Sequence, residues 1–262
     1  MNTEIKEYLS RLGKRFLDFI YYVGGIGLLG IRTVFWLFVP PLKRQQVFSQ
    51  MTKIGLNSLF IVFLCSLFTG IVLVFQSAYQ LQKLGAERFV AHLVALSMCR
   101  ELGPVFTALV LAGRAGASIS AELGTMRVTE QIDALETMAT NPIKYLVVPR
   151  FLALVVMLPL LTIYANFIGI FGGYIVAIRK LGLTSTIYIN STFEALALKD
   201  IFSGLFKSLV FGVIICCVSC YQGLNAEGGA EGVGKATTLA VVISFILIIA
   251  ADCLFTAFFY FV

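Results

Sequence analysis

The chain has 262 residues, of which 59% are hydrophobic and 13% are charged, whereas a soluble domain is about 45–50% apolar and about 25% charged. This composition excludes an ordinary soluble enzyme and indicates that lipid surrounds most of the chain. The net charge of +6 comes mostly from the N-terminal fifth rather than from a compact basic patch, so we expect it to face a cytoplasmic membrane surface and expect no nucleic acid as a partner.

The N-terminal segment is predicted to lie at the membrane surface. Apolar residues in 1–20 recur at helical spacing with charged residues on the other faces, which is typical of an interfacial amphipathic helix. The apolar positions are Ile5, Leu9, Leu12, Phe16 and Phe19. Residues 20–39 are apolar enough to cross a bilayer, but four glycines and Arg32 weaken a crossing helix, so we predict a bent interfacial or half-inserted elbow.

Five clear helical spans follow, which predicts an all-α polytopic membrane protein with an N-terminal interfacial and elbow region over 1–53 and a five-span domain over 54–262. A bilayer core about 30 Å thick takes roughly 20 helical residues to cross. The stretches that meet this length are 54–78, 89–112, 150–178, 202–222 and 238–262. Pro104 and Pro159 fall inside two of them and can kink those helices.

The distribution of basic residues predicts the orientation. With the N-terminus in the cytoplasm, the cytoplasmic segments hold 13 lysines and arginines and the opposite segments hold 6, with Arg100 left inside a span. The positive-inside rule therefore places the N-terminus in the cytoplasm and, because the predicted spans are five, the C-terminus on the other face. Most of this difference comes from residues 1–53.

The polar loop 113–149 is predicted to contain a short amphipathic helix near 125–139. Val128, Ile132 and Leu135 follow helical spacing, while Glu130 and Asp133 share another face. Such a helix could simply rest on the bilayer, but anionic lipid on the cytoplasmic side repels carboxylates. The acidic face therefore favours docking into a groove of a partner protein.

Charged side chains inside the spans are the candidate functional residues. Arg100 and Glu101 lie near the middle of span 89–112 and point in different directions, so each needs a partner elsewhere, and Asp252 is a candidate for Arg100. They either form ion pairs between helices or line a cavity and contact a polar head group, for which the arginine fork suits a phosphate. Gln76 could offer its amide to the same cavity, or it could lie in an interface.

Two smaller features are interpreted as structural. Gly169 and Gly173 form a G-x-x-x-G pattern that permits close helix packing. Residues 184–199 are predicted to form a short polar helix on the outer side, where it could offer a docking surface to an outer partner.

Neither a metal site nor a catalytic site is expected on this chain. All six cysteines fall in apolar runs and are interpreted as buried packing residues, and the Cys217-x-x-Cys220 pair has no second pair and no histidine nearby. Residues 229–236 resemble a phosphate loop but carry Ala236 where a hydroxyl must bind Mg²⁺, so we predict a flexible cytoplasmic turn there. No nucleophile and base occur at a recognisable spacing, and we expect no enzyme activity.

The sequence resembles the MlaE family of ABC-transporter permeases, the membrane subunits of MCE-type lipid transport systems. Its matching motifs occur in the family's order along nearly the whole chain, and they are Arg100-Glu101-Leu102-Gly103-Pro104, Ala112-Gly113-Arg114-Ala115-Gly116, Glu130-Gln131-Ile132-Asp133-Ala134-Leu135, Pro149-Arg150-Phe151 and Ala236-Thr237-Thr238.

The resemblance implies a homodimer in the bacterial inner membrane that moves phospholipid to or from a periplasmic MCE-domain carrier and so maintains outer-membrane lipid asymmetry. It implies a cytoplasmic ABC ATPase subunit that holds the ATP and Mg²⁺, with no cofactor on this chain. It also implies that the helix near 125–139 is the coupling helix, which transmits the movement of the ATPase to the spans. This helix would contact the ATPase through Arg127, Glu130, Gln131, Asp133, Leu135 and Glu136, and the lipid cavity would include Arg100, Glu101, Gln76 and Asp252.

One alternative from another functional class is a secondary transporter or channel that uses Arg100, Glu101 and Asp252 to relay protons or ions. Paired broken helices or an inverted repeat would favour it, and the sequence has no convincing internal repeat.

Overall fold

The structure, a computed structural model, describes residues 3–40 and 43–261, with side chains for 13, 14, 17, 20–40 and 43–259. The apolar side chains of the N-terminal amphipathic pattern lie outside this part. The described residues form helices and no strands. The α-helices are α1 (Thr3–Leu37), α2 (Arg44–Ile54), α3 (Leu59–Gln82), α4 (Val90–Ser97), α5 (Gly103–Leu111), α6 (Ala117–Val128), α7 (Gln131–Thr137), α8 (Val148–Leu181), α9 (Ser185–Ala195), α10 (Leu198–Leu224) and α11 (Gly229–Phe261).

The predicted all-α polytopic class is confirmed, with longer helices than expected. In the described chain, 6 helical stretches are long and apolar enough to cross a membrane, against about five predicted. They are Ile20–Leu37, Arg44–Gln82, Glu87–Val128, Ile143–Leu181, Leu198–Leu224 and Gly229–Phe259. Residues 113–128, which were predicted to belong to a loop, continue the helical stretch that contains Arg100 and Glu101.

Helix α1 is unbroken by its glycines, and its contacts favour the predicted elbow over a full crossing. The ring of Tyr22 packs edge-on against Tyr221, in the last turns of α10, at 5.3 Å between centroids. Beyond the C-terminal end of α1, the carbonyl of Pro40 accepts a hydrogen bond from Lys144 Nζ at 3.1 Å. Because α8 and α10 run in opposite directions, the start of α8 and the end of α10 lie on the same membrane face. Both ends of the segment 22–40 therefore contact that face.

Glycines let α3 and α8 pack closely. A Cβ atom at Gly70 would overlap the carbonyl oxygen of Gly169, and one at Gly172 would lie 2.8 Å from Leu67 O. Gly173 faces the buried hydroxyl of Tyr188, 2.8 Å from where a Cβ would be placed. The structural interpretation of Gly169 and Gly173 is confirmed, since backbones can approach this closely only where side chains are absent.

The other predicted features are partly confirmed. Helix α9 occupies much of the predicted outer helix over 184–199. Cys99, Cys216, Cys217 and Cys220 are buried, whereas Cys65 is half-buried and Cys253 is exposed, so the packing interpretation fails for Cys253.

The turn predicted over 229–236 is wrong, because α11 begins at Gly229 and the ion pair between Lys235 and Glu231 spans one helical turn at 2.6 Å. The turn lies at residues 225–228, between α10 and α11.

Candidate functional site

Arg100 and Glu101 lie in a five-residue π-helical segment, Met98–Leu102, that joins α4 to α5. The backbone N–H of Gly103 donates to Met98 O, five residues back, so the segment contains one extra residue compared with an α-helical turn. Pro104 follows and has no N–H to donate to the carbonyl of Arg100. Lys207 Nζ lies 3.4 Å from that carbonyl oxygen and supplies a donor in its place.

Lys207 is the centre of a charge network that joins three helices. Its side chain is completely buried, yet its Nζ atom lies 2.6 Å from Glu101 Oε2 and 2.9 Å from Asp252 Oδ1. The hydroxyl of Thr256 in α11 lies 2.7 Å from the same nitrogen and 3.1 Å from Glu101 Oε1. A buried ammonium group is tolerated only with such partners, so the network holds α10, α11 and the π-helical segment in one arrangement.

Arg100 pairs with Asp200, and the predicted pairing with Asp252 is wrong. Arg100 Nε donates to Asp200 Oδ1 at 2.8 Å, and the aspartate side chain is 4% exposed whereas the arginine side chain is 34% exposed. The other oxygen of Asp200 accepts the N–H of Ala197 at 3.2 Å, at the start of α10. Asp252 instead pairs with Lys207 of α10, whose Nζ atom lies 2.9 Å from Asp252 Oδ1.

Asp200 and Lys207 are not among the site residues that the sequence predicts. The apolar run of span 202–222 becomes continuous only after Lys207, so the sequence pattern groups this lysine with the charges of the outer segment. The separation of Asp200 and Lys207 by seven residues was an available signal, since residues two helical turns apart lie on the same helix face. Ser203, Gly204 and Ser208 share that face, and Gly204 is so close to Cys99 that a Cβ there would overlap the Cys99 carbonyl.

Gln76 is not brought to this network. It lies on an exposed face of α3, and among the described contacts none links its amide to Arg100 or Glu101. The partly exposed side chains of Glu101 and Asp252, at 32% and 21%, give the network an open side.

The predicted coupling helix over 125–139 is two helices, not one. Thr129 and Glu130 separate α6 from α7, and Glu130 adopts the left-handed conformation with φ 58°. Within this segment, Ile132 is buried and Leu135 packs against the core, while Arg127 pairs with Asp133 at 2.6 Å. The remaining predicted coupling residues, Glu130, Gln131 and Glu136, are exposed. The segment therefore presents an acidic outer face on a buried apolar support.

Ion pairs and hydrogen bonds attach α6 to two other helices. Glu122 lies 2.9 Å from Lys53 of α2 and 2.8 Å from Arg150 of α8, which is 5% exposed. About two turns earlier, in the π-helical segment Ala112–Gly116 that precedes α6, Arg114 donates to the carbonyls of Lys53 and Ile54 at 2.7 and 3.0 Å, at the C-terminal end of α2. An arginine at this position satisfies carbonyls that the helix leaves unpaired. A displacement of α7 and α6 would thus be transmitted to α2 and α8.

Comparison with known proteins gives matches to one family over most of the chain. Residues 47–258 match the family model described as permease MlaE. The chain is 46% identical over 251 residues to a probable ABC transporter permease protein of Rickettsia felis, covering 96% of this chain and 97% of the relative. It is 36% identical over 261 residues to the intermembrane phospholipid transport system permease protein MlaE of Haemophilus influenzae, covering 97% of each. It is also 38% identical over 216 residues to the chloroplastic protein trigalactosyldiacylglycerol 1 of Arabidopsis thaliana, covering 82% of this chain and 62% of the relative.

Proposed function

This chain belongs to the MlaE permease family and is by that membership a lipid-transport ABC permease, and we propose that it moves phospholipid between the inner membrane and a periplasmic MCE-domain carrier. This transport would maintain outer-membrane lipid asymmetry. The Haemophilus influenzae relative is named as a phospholipid transport permease. The observation that carries the proposal is the buried network of Glu101, Lys207 and Asp252, with Arg100 and Asp200 beside it.

The network is suited to binding a phospholipid head group. Charged groups within a membrane are expensive unless they face protein or water, and the open side of this network leaves Arg100, Glu101 and Asp252 partly exposed. The guanidinium of Arg100 can bind two phosphate oxygens at once. A second copy of the chain would enclose this side as a cavity within a homodimer, with the surrounding apolar helices in contact with the acyl chains.

Energy would come from a cytoplasmic ABC ATPase subunit that binds ATP and Mg²⁺. The exposed acidic segment 130–136, with Glu130, Gln131 and Glu136, is the surface we assign to that subunit. Glu122 and Arg114 would carry its movement to α2 and α8. For an almost complete switch between two cavity states, the ATPase must bind one state more tightly by about 5 kcal/mol.

The contacts of α1 support the proposed orientation. If α1 lies on the cytoplasmic face, the five longer helical stretches that follow each cross once. The N-terminus is then cytoplasmic and the C-terminus periplasmic, which agrees with the excess of basic residues in 1–53. The segment α9, on the outer face, would lie on the side of the MCE-domain partner.

Reconstitution tests this function directly. The chain and its ATPase subunit are placed in proteoliposomes, and transfer of a head-group-labelled phospholipid to an acceptor is followed with ATP, with a non-hydrolysable analogue, and with a proton gradient alone. We expect transfer to depend on the ATPase subunit and to be changed by ATP hydrolysis. Lipid or ion movement driven by the gradient without the ATPase subunit would instead support the secondary-transporter alternative.

A further inference from the structure

An apolar groove runs between α1 and the cytoplasmic half of the bundle, away from the charge network. Its volume is about 510 Å³, and its walls include Ile26, Gly27 and Val34 of α1, Val213 and Cys217 of α10, and Leu247 of α11. Val34 is 44% exposed and Leu247 is 38% exposed, so within the described chain the groove is open along one side. A volume of this order is typical of pockets that hold small ligands, about 300–1,000 Å³.

The glycine at position 27 has no explanation in the packing of the chain. A Cβ atom there would have nothing within 4 Å, and the backbone is ordinary helix, so neither close approach nor a left-handed conformation requires glycine. Glycine destabilises a helix interior relative to alanine. Gly30, which also lines the groove, would meet only Cys217 Sγ at 3.4 Å, an ordinary contact distance. Both glycines widen the groove and lower the stability of the helix, and no close contact within the described chain requires them.

The groove lies beside a polar cleft on the other face of α1. That cleft, of about 520 Å³, includes Arg32, Arg127, Glu136 and Asn225. Arg127 is paired with Asp133, whereas Arg32 is exposed and makes no ion pair with any described residue, Glu136 across the cleft included. Trp36 lies one helical turn after Arg32, and the centroid of its ring is 5.6 Å from Lys144 Nζ. A tryptophan in this position is typical of the membrane interface.

Arg32 follows directly after Ile31, another groove residue, so one turn of α1 carries a cation toward the water and an apolar wall toward the membrane. An anionic phospholipid of the cytoplasmic leaflet matches this arrangement, because its phosphate faces the water beside the cation and its acyl chain extends into the membrane beside the apolar wall. We propose that α1 and α10 form a lipid-binding site, separate from the transport cavity, in which one acyl chain fills the groove and the phosphate contacts Arg32. The bound lipid fastens the elbow to α10.

This inference is independent of the proposed transport function and is tested with a photoactivatable phosphatidylglycerol that carries a diazirine on one acyl chain. The permease with its ATPase subunit is reconstituted in vesicles containing this probe, illuminated, and digested, and the labelled peptides are mapped. We expect label on residues 211–220 and on 20–37. Gly27→Leu should reduce the label on 211–220 several-fold, and Val213→Phe, which fills the groove from the opposite wall, should do the same.

Gly24→Leu is the matched control, because Gly24 is equally open but does not line the groove. It should label like the parent, and equal labelling of Gly27→Leu and Gly24→Leu would overturn the proposal. Arg32→Gln should remove any preference for the phosphatidylglycerol probe over a phosphatidylcholine probe, and a parent without that preference would contradict the head-group contact. A benzophenone amino acid at position 27 that cross-links to a second copy of the chain would show the groove to be a protein interface instead.

Discussion

The ammonium group of Lys207 lies 2.6 Å from Glu101 Oε2, and this ion pair joins two helices although the lysine side chain is completely buried. Removing a single partner of a buried ion pair leaves an uncompensated charge in a medium of low dielectric constant. The pair therefore makes clear predictions about stability as well as about transport.

Lys207→Met should strongly destabilise the purified protein, by about 3–5 kcal/mol, because Glu101 and Asp252 lose their common cation. Thermal unfolding in detergent measures this. The triple variant Lys207→Met, Glu101→Gln, Asp252→Asn should recover part of the stability without recovering lipid transfer. Lys199→Met, at an exposed position in the first turn of the same helix, should unfold like the parent. Equal stability of the two methionine variants would contradict the role of the network.

Arg100→Lys should lower ATP-dependent lipid transfer while changing the unfolding temperature little. Lysine keeps the charge opposite Asp200 but loses the planar fork that binds two phosphate oxygens. Arg179→Lys, near the outer end of α8, is the control, since its side chain is exposed and far along the chain from the network. Transfer at the parental rate by Arg100→Lys would show that the guanidinium does not contact the head group.

Glu130→Lys combined with Glu136→Lys should abolish co-purification of the ATPase subunit while leaving membrane insertion intact, because both carboxylates are exposed in the acidic segment 130–136. Asp133 is a poorer choice than the sequence indicated, since it already pairs with Arg127. Glu194→Lys on α9 changes an exposed acidic residue at the other membrane face and should retain the ATPase subunit. Recovery of that subunit with the double variant would rule out this docking surface.

Ala139→Gly should stabilise the protein by about 1 kcal/mol, because Ala139 has φ 55° and a Cβ atom is strained in the left-handed region. Ala134→Gly, in the middle of α7, should destabilise by a similar amount, since glycine there loses helix propensity. Chemical or thermal unfolding of the two variants in detergent should therefore give shifts of opposite sign. Shifts of the same sign would place the strain elsewhere in the segment.

The topology can be tested with single cysteines in a background without the six native ones. Lys14→Cys and Pro40→Cys should both react with an impermeant reagent only from the cytoplasmic side, because we place α1 as an elbow on that face. Leu84→Cys, which is 76% exposed between α3 and α4, should react only from outside. Reaction of Lys14→Cys and Pro40→Cys from opposite sides would show that α1 crosses the membrane.

The sequence predicted what depends on local composition and spacing. Apolar length predicted the spans, and the angular separation of consecutive helical residues predicted that Arg100 and Glu101 would have separate partners, as they do. The identity of those partners depends on which helices are neighbours, and hydropathy carries no information about that. Lys207 therefore looked like a boundary charge. No glycine or proline marks the break at Glu130. The apolar spacing therefore predicted one continuous helix through this residue, although its backbone is left-handed.

The π-helical segments before and after α5 have a mechanical consequence. Met98–Leu102 and Ala112–Gly116 enclose the 9 residues of α5, and each segment holds one surplus residue. If such a surplus migrates by one position, the stretch it passes turns by about 100° and slides by about 1.5 Å without leaving the helix. Arg100 and Arg114 lie in the two π-helical segments on either side of α5. The α5 segment could thus rotate between two positions while the helix stays continuous at both ends.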